Sequence, residues 1–492
     1  MPRLIAPDSL RRIGKFFSDS GYTREALRDT LELTELPWRK LRNLHFLLHK
    51  TQEETALHQL ARIFYLGQPV EEAALRKLIP DAVLGLMQDA EVLAVAGGVA
   101  KPACMVAPLE NLVLISDQIT DMEVELMPDL VLLPNPTTWT VSRFMVRKPA
   151  ANAFDLGTGC GALALLLAGS TEHVLGTDIN ARAIEFARFN AALNGIDNVN
   201  FEVGDALAPA EGRKFDLIVA NPPFFVSAER QFVFCDSPME LDGFSQMLAR
   251  DAPKYLDEGG FFQMMCEWVE IEGQRWQDRI EEWFTANGCD VYVIKGFEFG
   301  AAKYAHERLF EANPLHPERD LETFERRLAY YRERNVKSVH GGLIAMRRRA
   351  GSNWVRIEDI PHPPKESFGE DVMNRFAGQD MAAWAPDEQL LDWRPALTSR
   401  VRLRQELVAC ERVWQPVMQR IDLVDGLASS LTLEPLVASV VCRLDGTRSI
   451  REHAASLAAE TGADAGIAQM EVLRLIRRLG AGGFLHVLPA AG

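Results

Sequence analysis

Polar residues stand at the points where four apolar runs of the sequence stop. Asp155 ends the run ANAFD, Asp178 ends HVLGTD, and Asp205 follows VNFEVG. The fourth run, FDLIVA, stops at an asparagine that is followed by two prolines and two phenylalanines, NPPFF. Proline cannot donate to a β-ladder, so the backbone after this asparagine is released from strand pairing. Carboxylates and a free amide at such places are suited to holding a polar or cationic ligand.

A glycine-rich turn follows the first of these acids. Gly157, Gly159 and Gly161 lie between Asp155 and an apolar helix, so the backbone can approach a ligand closely. A dinucleotide site requires the spacing G-x-G-x-x-G, and a carboxylate two residues before the first glycine would repel a diphosphate. A sulfonium and an ammonium group would instead be attracted. The turn therefore favours S-adenosylmethionine as cofactor and makes a nicotinamide dehydrogenase the weakest alternative.

The other acids extend the same cofactor site. We expect Asp178 to accept hydrogen bonds from the ribose hydroxyls and Asp205 to accept one from an adenine amino group. Each aspartate taken alone is as well explained by a helix cap or a solvated loop. The predicted cofactor-binding residues share a place at or just after a strand end: Asp155, Gly157, Thr158, Gly159, Asp178, Ile179, Asp205, Ala206 and Asn221. No metal is expected.

The elements that must position these residues alternate between strand and helix over 134–350. This alternation predicts an α/β fold, a Rossmann-like doubly wound sheet of parallel type. The carboxyl ends of parallel strands meet at one edge, where open α/β sheets bind ligands. The four polar strand ends are therefore expected to lie side by side.

The regions on either side of this sheet are predicted to be helical or winged-helix-like. We expect a helical segment over 1–58 and a winged-helix-like domain over 59–133, because three short helices precede a hairpin. The third of these helices, DAVLGLMQDAE, has no lysine or arginine, which favours partner docking over DNA binding. The Pro-rich stretch PHPPKESFGED predicts a linker over 351–399, followed by a helical, winged-helix-like domain over 400–492.

Composition limits the classes of function. The 492 residues exceed one core, and the net charge of −16 argues against binding nucleic acid by charge alone. The sequence has no apolar run of about 18 residues and begins without the apolar block of a signal peptide. Seven cysteines are scattered singly, without a C-x-x-C pair. We therefore expect a cytoplasmic protein without a membrane span.

Residues 134–350 resemble the class I S-adenosylmethionine-dependent methyltransferases of the "methyltransferase small" type, nearest to the HemK-like release-factor glutamine N-methyltransferases. The segment DLGTGCGALALLLA is similar to the first motif of that group. LLPNPTTWTVSRF resembles its IPRPETE segment without the charged residues, and LDGFSQMLARDAPKYLDEGG resembles its DGL…YL-x-x-GG helix. The resemblance covers under half of the chain.

The resemblance assigns roles to the NPPFF stretch. It implies that the Asn221 side-chain oxygen and the Pro222 carbonyl accept the two N–H bonds of a planar NH2 group, on which Phe224 stacks. We expect Pro223 and Phe225 to border the substrate. The glutamine enzymes usually have tyrosine where this chain has Phe224, so the motif leaves the acceptor open between a protein glutamine and a nucleic-acid base.

Three functions remain from the sequence. We rank methylation of a protein glutamine slightly above methylation of adenine N6 or guanine N2 in RNA or DNA. A catalytically inactive methyltransferase fold that serves as a binding protein is the alternative of another class. One basic stretch interleaved with Tyr330 and Tyr331 is the RNA-like feature. Its cations are Arg326, Arg327, Arg332, Arg334, Lys337, Arg347, Arg348 and Arg349.

Overall fold

The computed structural model describes residues 1–33, 36, 43–53, 55–118, 127–312, 317–360, 364, 366–410 and 413–487. The predicted helical segment, winged-helix-like domain, linker and C-terminal domain each lie in part outside these residues. The chain divides into two units, one made of 1–142 and 148–358 and the other of 143–147 and 359–492. The described helices include none that is long and apolar enough to cross a membrane.

The N-terminal part of the first unit is made of short helices and two small sheets. Its helices are α1 (Pro7–Asp19), α2 (Arg24–Leu31), α3 (Leu44–Lys50), α4 (Ala56–Leu60), α5 (Glu72–Arg76) and α6 (Asp81–Asp89). Its strands are β1 (Val70–Glu71), β2 (Leu93–Ala96), β3 (Val99–Pro102), β4 (Cys104–Leu109) and β5 (Leu112–Asp117). One sheet has the order β1-β3-β2, in which β1 precedes α5 along the chain, and β4 pairs with β5. The winged-helix assignment stays a prediction.

The central sheet has eight strands in the order β13-β11-β12-β10-β9-β6-β7-β8. Its strands are β6 (Ala150–Leu156), β7 (Thr171–Asp178), β8 (Val199–Val203), β9 (Phe215–Ala220), β10 (Leu256–Ile271), β11 (Cys289–Gly300), β12 (Val336–Arg348) and β13 (Val355–Asp359). The five strands from β10 to β8 run parallel, whereas β12 is antiparallel to both β10 and β11. The predicted α/β, Rossmann-like fold is confirmed.

Helices cover the faces of this sheet. They are α7 (Pro136–Phe144), α8 (Ala162–Leu167), α9 (Ala181–Asn194), α10 (Gly243–Asp251), α11 (Trp276–Glu282), α12 (Ala301–Ala312) and α13 (Pro317–Glu333). All six residues of α8 are buried, because this helix follows the glycine turn directly into the core. On α9, Asn190 forms hydrogen bonds of 2.8 and 3.0 Å with the backbone N–H and carbonyl of Ile115. Its side chain therefore satisfies the hydrogen-bonding groups of this residue at the edge of β5.

The second unit corrects two expectations from the sequence. It contains α14 (Gly369–Trp384), α15 (Asp387–Leu391), α16 (Pro435–Val441), α17 (Ile450–Thr461) and α18 (Ala465–Ala481), with strands β14 (Val401–Cys410), β15 (Val413–Leu423) and β16 (Ser430–Leu433). The expected linker 351–399 holds two helices, because apolar side chains such as Val372 and Phe376 recur at helical spacing and are buried. The expected helical region over 400–492 begins with an antiparallel sheet, β14-β15-β16.

Candidate active site

The polar strand ends predicted from the sequence lie side by side. Leu156 at the end of β6 pairs with Thr177 of β7 and with Ala220 of β9, and Asp178 pairs with Val203 of β8. Register therefore brings the glycine turn, Asp178, the residues after β8 and Asn221 to one edge of the sheet. This edge borders a cavity of about 760 Å³.

The glycine turn is built for close approach of a ligand. Gly157 and Gly159 have φ of +74° and +53°, in the left-handed region that other residues resist. Nothing lies within 4 Å of where a Cβ would stand at either glycine, so both face open space. The turn is tied to β7, because the Gly159 N–H donates to Asp178 Oδ2 at 2.9 Å.

Asp178 is held in place by the backbone around it. Its Oδ1 accepts from the N–H of Asn180 at 2.9 Å, while its Oδ2 accepts from Gly159. Burial raises the pKa of this carboxyl group, and the two backbone donors oppose that shift. The carboxyl lines the cavity and keeps further lone pairs for a ligand.

Asp155 supports the turn from below and does not line the cavity. Its Oδ2 accepts from the Thr158 hydroxyl at 2.6 Å and from the Ala164 N–H at 2.9 Å, which ties the turn to α8. Its Oδ1 is buried and has no hydrogen-bond partner among the described residues. Burial raises the pKa of Asp155 to about 7. Asp155 therefore supports the turn and reaches the cavity only through it.

The cavity wall is acidic and in large part apolar. Of the predicted site residues it includes Gly157, Thr158, Gly159, Asp178, Ile179, Asp205, Ala206, Asn221 and Pro223. It also includes the carboxylates of Asp129 and Asp236 and, among the described cations, only Arg230. An excess of negative charge in a partly enclosed site favours a cationic ligand.

Asn221 is anchored by the start of α7, a contact that the sequence analysis missed. Its Nδ2 donates to the hydroxyl oxygens of Thr137 and Thr138 at 3.1 and 3.2 Å. Its Oδ1 is buried and has no hydrogen-bond partner among the described residues. A buried acceptor without a donor is unfavourable, so the amide is arranged for a ligand that supplies an N–H or O–H group. The sequence signal was Asn-Pro-Thr-Thr, a helix start with proline at its first position.

Of the other residues of NPPFF, Pro223 lies in the cavity wall and the remaining three do not. Phe224 is 4% exposed and belongs to the core beneath the sheet edge, with Phe154 and Ile218. The ring is not among the residues that line the cavity, and its role as a stacking surface stays a prediction. Pro222, Phe225 and Asp155 are likewise absent from the wall.

Aromatic side chains from the loop after NPPFF line the cavity in place of Phe224. Phe232 and Phe234 are in the wall, with ring centroids 5.4 Å apart. Asp236 holds this loop, because its Oδ2 accepts from the N–H groups of Gln231 and Phe232 at 2.8 and 2.9 Å. The run QFVFC, two aromatics separated by one residue, was the available sequence signal.

Phe225 packs outside the cavity. The Arg308 guanidinium lies 3.8 Å from the Phe225 ring centroid, a cation–π contact. The Phe225 backbone pairs with the end of the following loop, since its N–H donates to the Cys235 carbonyl at 2.9 Å. Phe225 therefore fixes the loop that carries the two aromatic rings.

Most cations of the RNA-like stretch pair with neighbouring acids. Arg326 and Arg327 both pair with Glu229, and Arg334 pairs with Glu240 at 2.8 Å. Further cations of the stretch, Lys337, Arg347 and Arg349, pair with Glu270 or Asp290. Tyr330 and Tyr331 are buried, so their faces are not open for stacking on bases.

The described residues include no group of three or more His, Cys, Asp or Glu side chains placed to hold a metal ion.

Comparison with known proteins shows what the segment around this edge is similar to. Residues 147–311 match the family model described as a methyltransferase domain. The segment is a class I methyltransferase domain. The cofactor of this family is S-adenosylmethionine, and the site fits it. The glycine turn leaves space, carboxylates suited to a cationic ligand line the cavity, and Asp178 stands at the strand end where the sequence predicts a ribose contact.

Two relatives show how far the similarity extends. The release factor glutamine methyltransferase of Xylella fastidiosa (strain 9a5c) is 36% identical over 133 residues, 25% of this chain and 48% of the relative. That of Geobacter sulfurreducens is 28% identical over 221 residues, 42% of this chain and 75% of the relative. The chain spans about half the length of the first relatives that it matches.

A solved methyltransferase structure from Pyrococcus furiosus aligns with 41% of this chain and 77% of its own length. The sequence identity is 19% and the TM-score is 0.25. The fold of the methyltransferase domain is therefore taken from its own strand order and register.

Proposed function

We propose that this chain transfers the methyl group of S-adenosylmethionine to a planar NH2 nitrogen of a macromolecule, preferably the side-chain amide of a protein glutamine. The buried and unpaired Oδ1 of Asn221 carries this proposal. It lies at the wall of the cofactor cavity, where an N–H donor would satisfy it. The carbonyl of Pro222 receives no hydrogen bond from the described residues and is suited to take the second N–H.

These two acceptors would prepare a poor nucleophile for reaction. The nitrogen of an amide or exocyclic amine shares its lone pair with a π system. Two fixed oxygens hold both N–H bonds, orient the lone pair and favour the partial positive charge that develops on nitrogen. The acceptor nitrogen forms a bond to the methyl carbon while the S–CH3 bond breaks. One proton then leaves the nitrogen, and S-adenosylhomocysteine is the other product.

No strong base is required for that proton. A positively charged amide nitrogen is a strong acid, so the proton passes to water. The chain's own contribution is to bind and orient the reacting groups. Phe232 and Phe234 supply apolar surface to the same wall.

A protein acceptor is favoured over a nucleic acid by charge and by relatives. The net charge is −16, and most cations of the basic stretch pair with Glu229, Glu240, Glu270 or Asp290, which lowers its attraction for a phosphate backbone. The matched relatives are named release factor glutamine methyltransferases. The inactive-fold alternative is disfavoured by the open glycine turn and the unpaired Asn221 oxygen.

Labelled cofactor tests the acceptor class. The full chain is incubated with tritiated S-adenosylmethionine and, separately, a purified bacterial release factor, total RNA and genomic DNA. We expect label in the release factor, and mass spectrometry is expected to find one additional methyl group on a glutamine amide. Label in RNA or DNA alone would replace the glutamine acceptor by a base. Absence of label from all three, with S-adenosylhomocysteine bound, would favour the inactive fold.

A further inference from the structure

We infer that Asn135, Thr137 and Thr138 form a polarity lock that makes Asn221 present only a hydrogen-bond acceptor to the cavity. The four residues belong to two segments of the chain that lie more than 80 residues apart. The inference deepens the proposed function, on which it rests, because it restricts the acceptor to groups that donate N–H bonds. The lock consists of positioning residues, since they act through Asn221.

The lock starts at a backbone group whose role is fixed. The Thr138 N–H donates to Asn135 Oδ1 at 2.9 Å. A backbone N–H can only donate, so the oxygen of the Asn135 amide has to face it. Asn135 immediately precedes α7 and caps its first turn, while Pro136 occupies the first helical position. The start of the helix therefore sets the orientation of Asn135.

The same oxygen sets the two threonine hydroxyl groups. Thr137 Oγ1 donates to Asn135 Oδ1 at 2.7 Å, and Thr138 Oγ1 donates to it at 3.0 Å. An amide oxygen has no hydrogen to give, so each hydroxyl proton is directed at Asn135. Both threonine oxygens are then left with lone pairs only. They can accept a hydrogen bond but cannot donate a second one.

Asn221 completes the lock. Its amide meets the two threonine oxygens at 3.1 and 3.2 Å, and only the NH2 end of the amide can satisfy them. A flipped Asn221 would place Oδ1 against two oxygens that have no free proton, which costs both hydrogen bonds. The carbonyl end is consequently fixed on the other side, where it has no partner among the described residues.

The lock works as a filter on the acceptor. A primary carboxamide or an exocyclic amine brings N–H donors to the Asn221 oxygen. A carboxylate, such as glutamate in place of glutamine, brings only acceptors and a charge that the acidic wall repels. A freely rotating asparagine could serve either class, so the fixed polarity is what gives discrimination.

Matched variants distinguish the effect of losing the threonine hydroxyl groups from an effect on the fold. The double variant T137V/T138V removes both hydroxyl groups at nearly constant shape and leaves the Thr138 N–H to cap α7. T137S/T138S keeps the hydroxyls. Thr140→Val is the control on the same helix, because the Thr140 hydroxyl donates to the Pro136 carbonyl at 2.9 Å and does not contact Asn221.

The first readout is kinetic and uses tritiated S-adenosylmethionine with a purified release factor. We expect the valine pair to lower kcat roughly 10²-fold, with the KM for S-adenosylmethionine and the affinity for S-adenosylhomocysteine unchanged. The serine pair is expected to recover most of this loss, and Thr140→Val to behave as wild type. A kcat within twofold of wild type in the valine pair overturns the lock while leaving the proposed function intact.

The second readout does not depend on the acceptor. In protein labelled with [15N]asparagine, the side-chain NH2 signal of Asn221 is assigned by its loss in Asn221→Ala. We expect slow hydrogen exchange of these protons in wild type and the serine pair, and at least tenfold faster exchange in the valine pair. Equal exchange rates in all three would overturn the lock even if no methyl transfer to the release factor occurred, in which case the proposed function fails separately.

Discussion

Asn221 and the acids around it divide the work at the scale of single residues. In the proposed function Asn221 offers its unpaired oxygen to the acceptor. Asp178 has carboxylate lone pairs in the cavity wall, and Asp155 holds the glycine turn from the side away from the cavity. Asp155 was predicted to bind cofactor, and the structure gives it an indirect position. The protonation of the Asp155 carboxyl group is then expected to affect how the stability of the protein depends on pH.

Asp155 should make the wild-type protein lose stability as the pH rises from about 4 to 7. Burial raises the pKa of its carboxyl to about 7 in the folded protein, while an unfolded aspartate has a pKa near 3.9. Between these values the folded state binds more protons, so the free energy of unfolding falls with rising pH, by about 1.4 kcal/mol per unit of pKa difference. The fall is complete above the folded pKa.

Urea unfolding of wild type and Asp155→Asn at several pH values measures this effect. The variant lacks the titrating group and can still accept from Thr158 and Ala164 through its amide oxygen. We expect the stability of wild type relative to the variant to decrease from pH 4 to pH 7 and to level off above it. A difference that is constant across this range would contradict the assignment of a buried, protonated Asp155.

The elements of the site are a strand, a tight turn and a helix that pack without spare room. Gly161 precedes α8 with a φ of +89°, and a Cβ there would stand 3.1 Å from Ala187 Cβ on α9. The turn therefore requires glycine for two reasons, backbone conformation and space. Position 212 requires glycine only for its backbone conformation, because its φ is +74° and nothing lies within 4 Å of where a Cβ would stand.

The two glycines give a matched pair of alanine variants. Gly212→Ala is expected to cost about 1–2 kcal/mol of unfolding free energy for the left-handed backbone. Gly161→Ala adds overpacking against α9, so we expect about 1–3 kcal/mol more, together with weaker binding of S-adenosylhomocysteine. Urea unfolding and calorimetry check both parts. Equal losses of stability in the two variants would show that α8 and α9 are not packed as described.

The sequence predicted these elements because their signals are local. Hydrophobic runs, the three glycines and the polar strand ends are enough to place β6 to β9 and their common edge. The lock around Asn221 was missed because it joins side chains more than 80 residues apart, and no periodicity records such a contact. The burial of Phe224 was missed for the same reason, since an aromatic after a strand end fits either the core or a ligand wall.

Errors outside the methyltransferase domain have a different cause. The Pro-rich stretch that begins near residue 361 lies in part outside the described residues, and the linker predicted from it was extended over α14, where apolar residues recur at helical spacing. Apolar and polar residues alternate in VRLRQEL near residue 401, which predicts a strand. This segment was instead assigned to a helical domain, because the residues after it have helical spacing. In both cases a neighbouring signal was extended over a segment with its own pattern.

At the scale of the whole molecule, the second unit includes a short stretch that contains the end of α7. Residues 143–147, which follow the lock along the chain, belong to that unit. Phe144, the last residue of α7, is buried with its ring centroid 5.7 Å from that of Phe368. The Phe368 N–H also donates to the Arg143 carbonyl at 2.8 Å. The C-terminal region is thus expected to stabilise the end of α7.

Phe368→Ala tests that role. Phe368 is 1% exposed, so its truncation is expected to cost about 3–5 kcal/mol and to lower the melting temperature. Trp414→Ala is the aromatic control, because Trp414 is 67% exposed and its removal should change stability by about 0.5 kcal/mol or less. Calorimetric melting of both variants is the measurement. Similar melting temperatures in the two variants would contradict the stabilising role of Phe368.

The central claim is that Asn221 holds the acceptor nitrogen beside the methyl donor, and Asn221→Ala tests it most directly. Methyl transfer from tritiated S-adenosylmethionine to a purified release factor is measured together with calorimetric binding of S-adenosylhomocysteine. The account predicts a loss of transfer of at least roughly 10²-fold, since the orienting acceptor is gone, with cofactor affinity unchanged. Transfer equal to that of wild type would contradict it.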